Sequence, residues 1–234
     1  MKAGIIGAMD VEVATLKNKM TMTRVESFAG MDFYEGTLGT TDVVIVKCGV
    51  GKVNAACCVQ LLADRFGVTH IINTGVAGSL NNRLDIGDIV VSTDAMYHDV
   101  DATVFGYQPG EVPQMGIVSF PADEMLRKLA LRAIKETAPD IKAMEGQVVS
   151  GDQFISTREK KEYIMKNFSG LCAEMEGAAI AQASYINKIP YVIIRAISDK
   201  ADESVTESYD TFEGKAAVHC ANIVTYMVET WAAE

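Results

Sequence analysis

The chain has 234 residues, 49% of them hydrophobic, enough to bury one sizeable core, and its five cysteines, the adjacent pair Cys57 and Cys58 among them, do not form a disulfide framework. A net charge of −10 spread along the sequence excludes a nucleic-acid partner, because such binding needs a basic stripe to release counterions. The apolar start Met1–Met9 is cut short by Asp10, no run reaches membrane-spanning length, and no Cys/His spacing resembles a zinc site. The expectation is a single domain over residues 1–234 in a reducing cytoplasm, with no membrane, no metal and no cofactor.

Lys2–Ile6 reads as a buried strand, and Gly7-Ala8-Met9-Asp10 turns the chain into a helix carrying Val11, Val13, Ala14 and Leu16. Glu12 then falls in the first turn of that helix, above the carboxyl end of a strand. Phe33–Leu38 and Val43–Cys48 are strands joined by Gly39-Thr40-Thr41, a spacing that requires a hairpin and makes the sheet mixed. Gly49-Val50-Gly51-Lys52 leads into a helix over Asn54–Phe66 that Gly67 stops. His70–Asn73 is the next strand, leaving through Thr74-Gly75-Val76-Ala77-Gly78, and Ile86–Ser92 is strand again. Both glycine segments depart from the phosphate-loop and dinucleotide patterns, so they read as close approach of backbone to a small ligand.

Tyr97–Tyr107 has neither period and is rich in aromatic and polar residues, the composition of a binding loop or of contact with another subunit. Asp123–Ala138 is an amphipathic helix, and Gln147–Ser150 a strand that exits through Gly151-Asp152-Gln153-Phe154-Ile155. Ser156-Thr157-Arg158-Glu159 is a capping box for the following helix. A short apolar strand from Leu171 runs into an alanine-rich helix with Glu174 and Glu176 at the junction. Opposing a helix dipole is worth only roughly 0.3–1 kcal/mol, and two carboxylates exceed what that role requires.

Pro190–Asp199 is a β-branched strand interrupted by one arginine, Arg195, and ending in Ser198-Asp199. Open α/β sheets place their chemistry at the carboxyl ends of such strands, which makes Asp199 a site candidate. The alternative, that Ser198 and Asp199 cap a helix, lacks a helix to cap: Lys200–Thr211 is polar with no 3.6 period, and the closing helix spans Thr211–Trp231. The alternation of strands and helices predicts a single-domain three-layer α/β/α sandwich around a mixed, twisted central sheet.

Seven segments, taken in order, carry a resemblance: Gly4-Ile5-Ile6-Gly7-Ala8-Met9 with Glu12, Gly49-Val50-Gly51-Lys52-Val53-Asn54, Asn73-Thr74-Gly75-Val76-Ala77-Gly78, Tyr97-His98-Asp99, Val149-Ser150-Gly151-Asp152, Glu174-Met175-Glu176, and Arg195-Ala196-Ile197-Ser198-Asp199. The chain resembles the 5′-methylthioadenosine/S-adenosylhomocysteine nucleosidases, of the nucleoside phosphorylase and nucleosidase superfamily, up to Asp199 and more loosely to Phe212. The resemblance implies the mixed-sheet sandwich and hydrolysis of the bond between adenine N9 and ribose C1′, through an oxocarbenium-like transition state. The implied substrates are 5′-methylthioadenosine, S-adenosylhomocysteine and 5′-deoxyadenosine. It implies Asp199 as the general acid at adenine N7, oriented by Ser198, and Glu12 as the base for water. Glu176 would grip the ribose hydroxyls, with Met175 packed on the sugar and Arg195 in the same polar cluster. Phe154 would stack on adenine while the Ile155 backbone reads the purine edge.

The same resemblance implies that Met9, Val50 and Tyr209 line the alkylthio pocket, and that Ala102, Phe105, Tyr107 and Pro113 come from the neighbouring subunit of a homodimer. Val76, also at the site, stands where many members carry serine, and Tyr209 where phenylalanine is common. Three other functions compete: a purine nucleoside phosphorylase of the same superfamily, an aminofutalosine-type nucleosidase, and a silent nucleoside-binding protein. Phosphorylases of this fold hold phosphate with arginines where this chain has Met9-Asp10-Val11-Glu12 and Asn73-Thr74-Gly75. A silent protein would lack one of Glu12, Glu176 or Asp199, and all three are present.

Overall fold

The computed structural model describes residues 1–202 and 205–231, less the side chains of residues 205–211 and 213. β1 (Lys2–Gly7) runs into α1 (Asp10–Lys19), after which β2 (Thr21–Phe28), β3 (Met31–Leu38) and β4 (Thr41–Lys47) form an antiparallel meander. α2 (Lys52–Phe66) ends at Gly67, whose left-handed backbone (φ 59°) closes the helix, and β5 (His70–Ser79) and β6 (Ile89–Tyr97) follow. A 3-10 turn at Thr103–Phe105 and the two-residue β7 (Phe120–Pro121) precede α3 (Glu124–Thr137) and β8 (Ala143–Ser150). The chain then continues through α4 (Arg158–Asn167), β9 (Cys172–Glu174), α5 (Gly177–Asn187), β10 (Tyr191–Asp199) and α6 (Val205–Trp231).

These strands make one mixed sheet. β1 lies parallel between β4 and β5, and β10 pairs parallel with β5 on one side and antiparallel with β6 on the other. β6 pairs parallel with β8, β8 parallel with β9, and β9 returns antiparallel to β5. β5, β10, β6, β8 and β9 thereby close into a ring, and β1, β4, β3 and β2 extend from it as an open arm. Register shifts in β6 between Ser92 and Ala95, and in β10 between Ile197 and Asp199, add the local bend that ring closure needs.

Both faces of the central strands are apolar, as expected for strands covered on two sides. Ile6, Val44, Val46, Ile71 and Ile193 face α2 and α5, while Ile5, Ile45, Ile72, Val192 and Ile194 face α1, α3 and α6. These are the three layers that the alternation of elements predicts. α4 sits apart, its Ile164 and Phe168 joining Leu80, Val149 and Ile155 in a smaller cluster.

The structure departs from the sequence expectations at several ends. β2 was not anticipated at all. β5 runs on through Val76, Ala77 and Gly78 because those residues pair with Ala196, Ile197 and Asp199 of β10. β6 begins at Ile89 rather than Ile86 and continues to Tyr97. The cap of α4 is Thr157, whose side chain accepts the Lys160 N–H at 3.4 Å, one residue beyond the anticipated Ser156. α6 starts at Val205 rather than Thr211: once its apolar half is packed, adding a turn requires fixing only one residue per hydrogen bond, and a polar segment can be carried along.

Candidate active site

The carboxyl ends of β1, β5 and β10 point the same way, and beside them lies the β9–α5 junction. Glu12 is the third residue of α1, at the exit of β1, and is 2% exposed. Its Oε2 accepts the N–H groups of Ala8 (2.6 Å) and Met9 (3.0 Å), satisfying the free donors of the helix start, and its Oε1 accepts the Val76 N–H at 3.0 Å. The carboxylate is thus fixed from two strands. Burial pushes its pKa up, against the pull of Arg195 and these three N–H donors.

Arg195, the arginine in the middle of β10, is 1% exposed and sits opposite Gly75 in the β5–β10 register. A side chain on Gly75 would overlap both Glu12 Oε1 and Arg195 Nη1, so the glycine is what lets these two groups meet beneath β5. Arg195 Nη2 pairs with Glu174 and donates to Asn73 Oδ1 at 2.7 Å, with longer reaches to Glu176 Oε2 (3.6 Å) and, from Nη1, to Glu12 Oε1 (3.8 Å). Glu176 Oε1 accepts the Gly51 N–H at 2.9 Å, which ties the β4–α2 loop to the cluster. Burial, reinforced by the neighbouring Glu174, raises the Glu176 pKa to about 7.

Asp199 closes the other end of the site. The bulge at Ser198 re-aims the end of β10 so that Asp199 pairs with Gly78, and the carboxyl group, 2% exposed, lies against the β5 backbone. Ser198 Oγ donates to Asp199 Oδ2 (2.9 Å) and the Ala201 N–H to Oδ1 (2.7 Å). Burial raises its pKa, opposed by those two donors.

A cleft whose empty space, open solvent at its mouth included, is about 670 Å³ brings these groups together. Its walls include Glu12, Glu176, Arg195, Ser198 and Asp199, and also Met9, Val50, Val76, Phe154, Ile155 and Met175. Phe154 and Val50 are about half exposed, at 52% and 49%, and Ile155 and Val76 are buried. The side chain of Tyr209 lies outside the described residues. Ala102, Phe105, Tyr107 and Pro113 do not line this cleft. Phe105 and Pro113 are exposed and Tyr107 is half-buried, whereas Ala102 is buried in its own chain and its carbonyl accepts the Phe105 N–H at 2.9 Å. Among the described residues no group of three or more His, Cys, Asp or Glu side chains could hold a metal ion.

Two contributors went without a role in the sequence expectations. Glu174 was visible as half of an acidic pair, but its partnership with Arg195 depends on three-dimensional register, Ser150 and Glu174 being opposite one another in the β8–β9 pair. Asn73 heads one of the segments that carry the resemblance, but nothing in the sequence marks it as a partner of Arg195.

Comparison with known proteins gives the cleft a context. A model of the phosphorylase superfamily matches residues 2–229. The chain is 45% identical over 228 residues, 97% of each chain, to a 5′-methylthioadenosine/S-adenosylhomocysteine nucleosidase of Halalkalibacterium halodurans. It is similar in structure to the nucleosidase of that name from Neisseria meningitidis, solved in complex with methylthio-immucillin-A, with a TM-score of 0.95, 39% identity and coverage of 98% of this chain and 99% of that one. It is also similar to futalosine hydrolase of Helicobacter pylori, with a TM-score of 0.92, 31% identity and coverage of 98% and 97%.

Proposed function

Because the chain belongs to the phosphorylase superfamily and, within it, to the 5′-methylthioadenosine/S-adenosylhomocysteine nucleosidases, we infer that its cleft hydrolyses the N-glycosidic bond of 5′-methylthioadenosine and S-adenosylhomocysteine. The enzyme is an N-glycosyl hydrolase, and the products are adenine and the 5-modified ribose. 5′-Deoxyadenosine presents the same reacting atoms and is a further substrate.

The observation that carries the assignment of roles is a pair of buried carboxyl groups, Glu12 and Asp199, on different elements of one cleft, each with its proton affinity raised by burial. Asp199, protonated, gives its proton to adenine N7 so that the base leaves neutral, and Ser198 and Ala201 fix the carboxyl in place. Glu12 takes the proton of the attacking water. Three backbone N–H groups occupy three of its roughly four acceptor positions and leave one for that proton. Glu176 holds the ribose hydroxyls, Met175 packs on the sugar, Phe154 stacks on adenine beside the Ile155 backbone, and Met9, Val50 and Val76 form the apolar end that takes the 5′ group.

Water rather than phosphate is the nucleophile. Arg195, the cation that lines the cleft among the described residues, is surrounded by Glu12, Glu174 and Glu176, which would repel a phosphate dianion. The apolar 5′ end likewise disfavours nucleotides, since an unpaired buried charge is costly.

The likeness to futalosine hydrolase favours an aminofutalosine-type nucleoside as a second substrate, with the same acid and base acting on its glycosidic bond. The protein acts as a homodimer in the cytoplasm, and Phe105, Tyr107 and Pro113 complete the partner's 5′ pocket. Val104 and Phe105, 85% and 81% exposed, leave an apolar tip uncovered in one chain, which supports that arrangement.

The test is incubation of the purified protein with each nucleoside in chelator-containing buffer with and without added phosphate, following free adenine and the reducing end of the ribose. Phosphate-dependent release with ribose 1-phosphate as product would overturn hydrolysis in favour of phosphorolysis. The relative rates decide between the nucleoside substrates.

A further inference from the structure

Arg195 spends its donors unevenly among its acidic neighbours: Nη1 donates only to the Val76 carbonyl, at 3.5 Å, and Nε has no hydrogen-bond partner among the described residues. Both N–H groups of its Nη2 are taken, one by Glu174 and one by Asn73 Oδ1 at 2.7 Å, while Glu176 and Glu12 stand off at 3.6 and 3.8 Å. Glu174 is itself immobilised. Ser150 Oγ donates to its Oε1, the Gly177 N–H lies 2.9 and 2.8 Å from its two oxygens, and the Glu176 N–H reaches Oε2 at 3.1 Å. The Arg195 and Glu174 side chains are only 1% and 3% exposed.

A guanidinium seated directly on Glu12 would favour its ionised form and make it a poor acceptor for a proton from water. We propose that Glu174 is a positioning residue for the hydrolysis: by taking the Arg195 guanidinium as its own partner it holds that charge 3.8 Å from Glu12 instead of in direct contact, and so keeps Glu12 able to receive the water's proton. The proposal rests on the reading of Glu12 as the base. Glu12 is faced by Arg195 from β10, by Glu176 from the β9–α5 junction, by Cys48 from the end of β4 and by Cys220 from α6. Asp199 has none of these among its contacts, being held by Ser198 and Ala201.

Glu174→Gln removes the charge while keeping most of the hydrogen bonding, since the amide nitrogen can donate to Ser150 Oγ and the carbonyl still accepts from Arg195, Glu176 and Gly177. Profiles of kcat against pH with 5′-methylthioadenosine should show the acidic limb moved down by about one pH unit, as Arg195 turns to Glu12 and Glu176. The plateau should fall by about threefold to tenfold, as expected of a weaker base. The basic limb, set by Asp199, should stay in place and serves as the internal reference. Glu174→Asp keeps the charge but draws it back by one methylene, and should move the acidic limb the same way by less, which decides the matter if the glutamine variant does not fold. Variants that are slower with the acidic limb unmoved would overturn the proposal and leave Glu174 as a packing residue. Glu12→Gln run in parallel tests the base separately: full activity in that variant would remove the reading of Glu12, whatever Glu174 does.

Discussion

Asp199 and Gly78 are partners in the β5–β10 register, and a methyl group on Gly78 would stand 2.8 Å from Asp199 Oδ1. The Asp199 carboxyl group therefore lies directly on the backbone of the neighbouring strand, with Ser198 and Ala201 holding its two oxygens.

A group so held should matter for proton delivery far more than for binding. Asp199→Asn is expected to lower kcat with 5′-methylthioadenosine by about 10² to 10⁴, roughly 3 to 5 kcal/mol, with little change in KM. With a substrate whose leaving group needs no protonation, such as an activated nitroaryl in place of adenine, the loss should be much smaller. Equal losses on the two substrates would make Asp199 a shaping residue.

Gly75 is the counterpart under Glu12 and Arg195. Gly75→Ala inserts a methyl where both of those side chains already stand, and one must move. Overpacking of this kind costs about 1–3 kcal/mol of stability, and displacing Glu12 should remove most of the activity if it is the base for water. Thermal melts and turnover measured on the same preparation check both. A variant with wild-type kcat would show that Glu12 tolerates displacement.

Glu176 makes the protein's stability depend on pH in a defined direction. Its folded-state pKa, about 7, lies above its ordinary 4.5. Below that ordinary value folded and unfolded chains both hold the proton. Between the two values the unfolded chain ionises first, so stability is lost as pH rises toward the folded pKa. Glu176→Gln, although it should abolish ribose binding, is therefore expected to be more stable than the parent at pH 8, by up to about 3 kcal/mol, and indistinguishable from it near pH 4. Denaturant titrations at the two pH values give the sign, and a variant less stable at pH 8 would contradict it.

Phe105 stands 81% exposed on the 3-10 turn, outside the cleft of its own chain. Phe105→Asp should weaken association and turnover together if that ring completes a partner's pocket. Sedimentation and kcat/KM across a dilution series check the link. An active monomer at assay concentration would break it.

Much of the site was legible in the sequence because its groups stand at strand exits, where an apolar run stops abruptly. Glu12, Asp199 and the acidic pair at 174 and 176 all announced themselves that way, and the structure brings them to one cleft. β2 gave no such signal. Thr21–Phe28 is mostly exposed on both faces, so nothing alternates, and its pairing with β3 is a property of the sheet edge. The extension of β5 through a glycine-rich segment depended equally on a partner, β10, more than a hundred residues away. The division of labour between Glu174 and Glu176 was hidden for a similar reason: two carboxylates flanking a methionine look alike in sequence, and only the register against Ser150 decides which one meets Arg195.

The ring of strands has a consequence for how the chain is made. β10 occupies a slot between β5 and β6, which precede it by about a hundred residues, and it supplies Arg195, Ser198 and Asp199. Until Tyr191–Asp199 leaves the ribosome, those two older strands each present an unsatisfied edge that invites pairing with other chains. Non-local pairings of this kind are slow to form, so the cleft is the last part of the molecule to assemble. A nascent chain stalled before β10 should need chaperone protection and should have no catalytic competence at all.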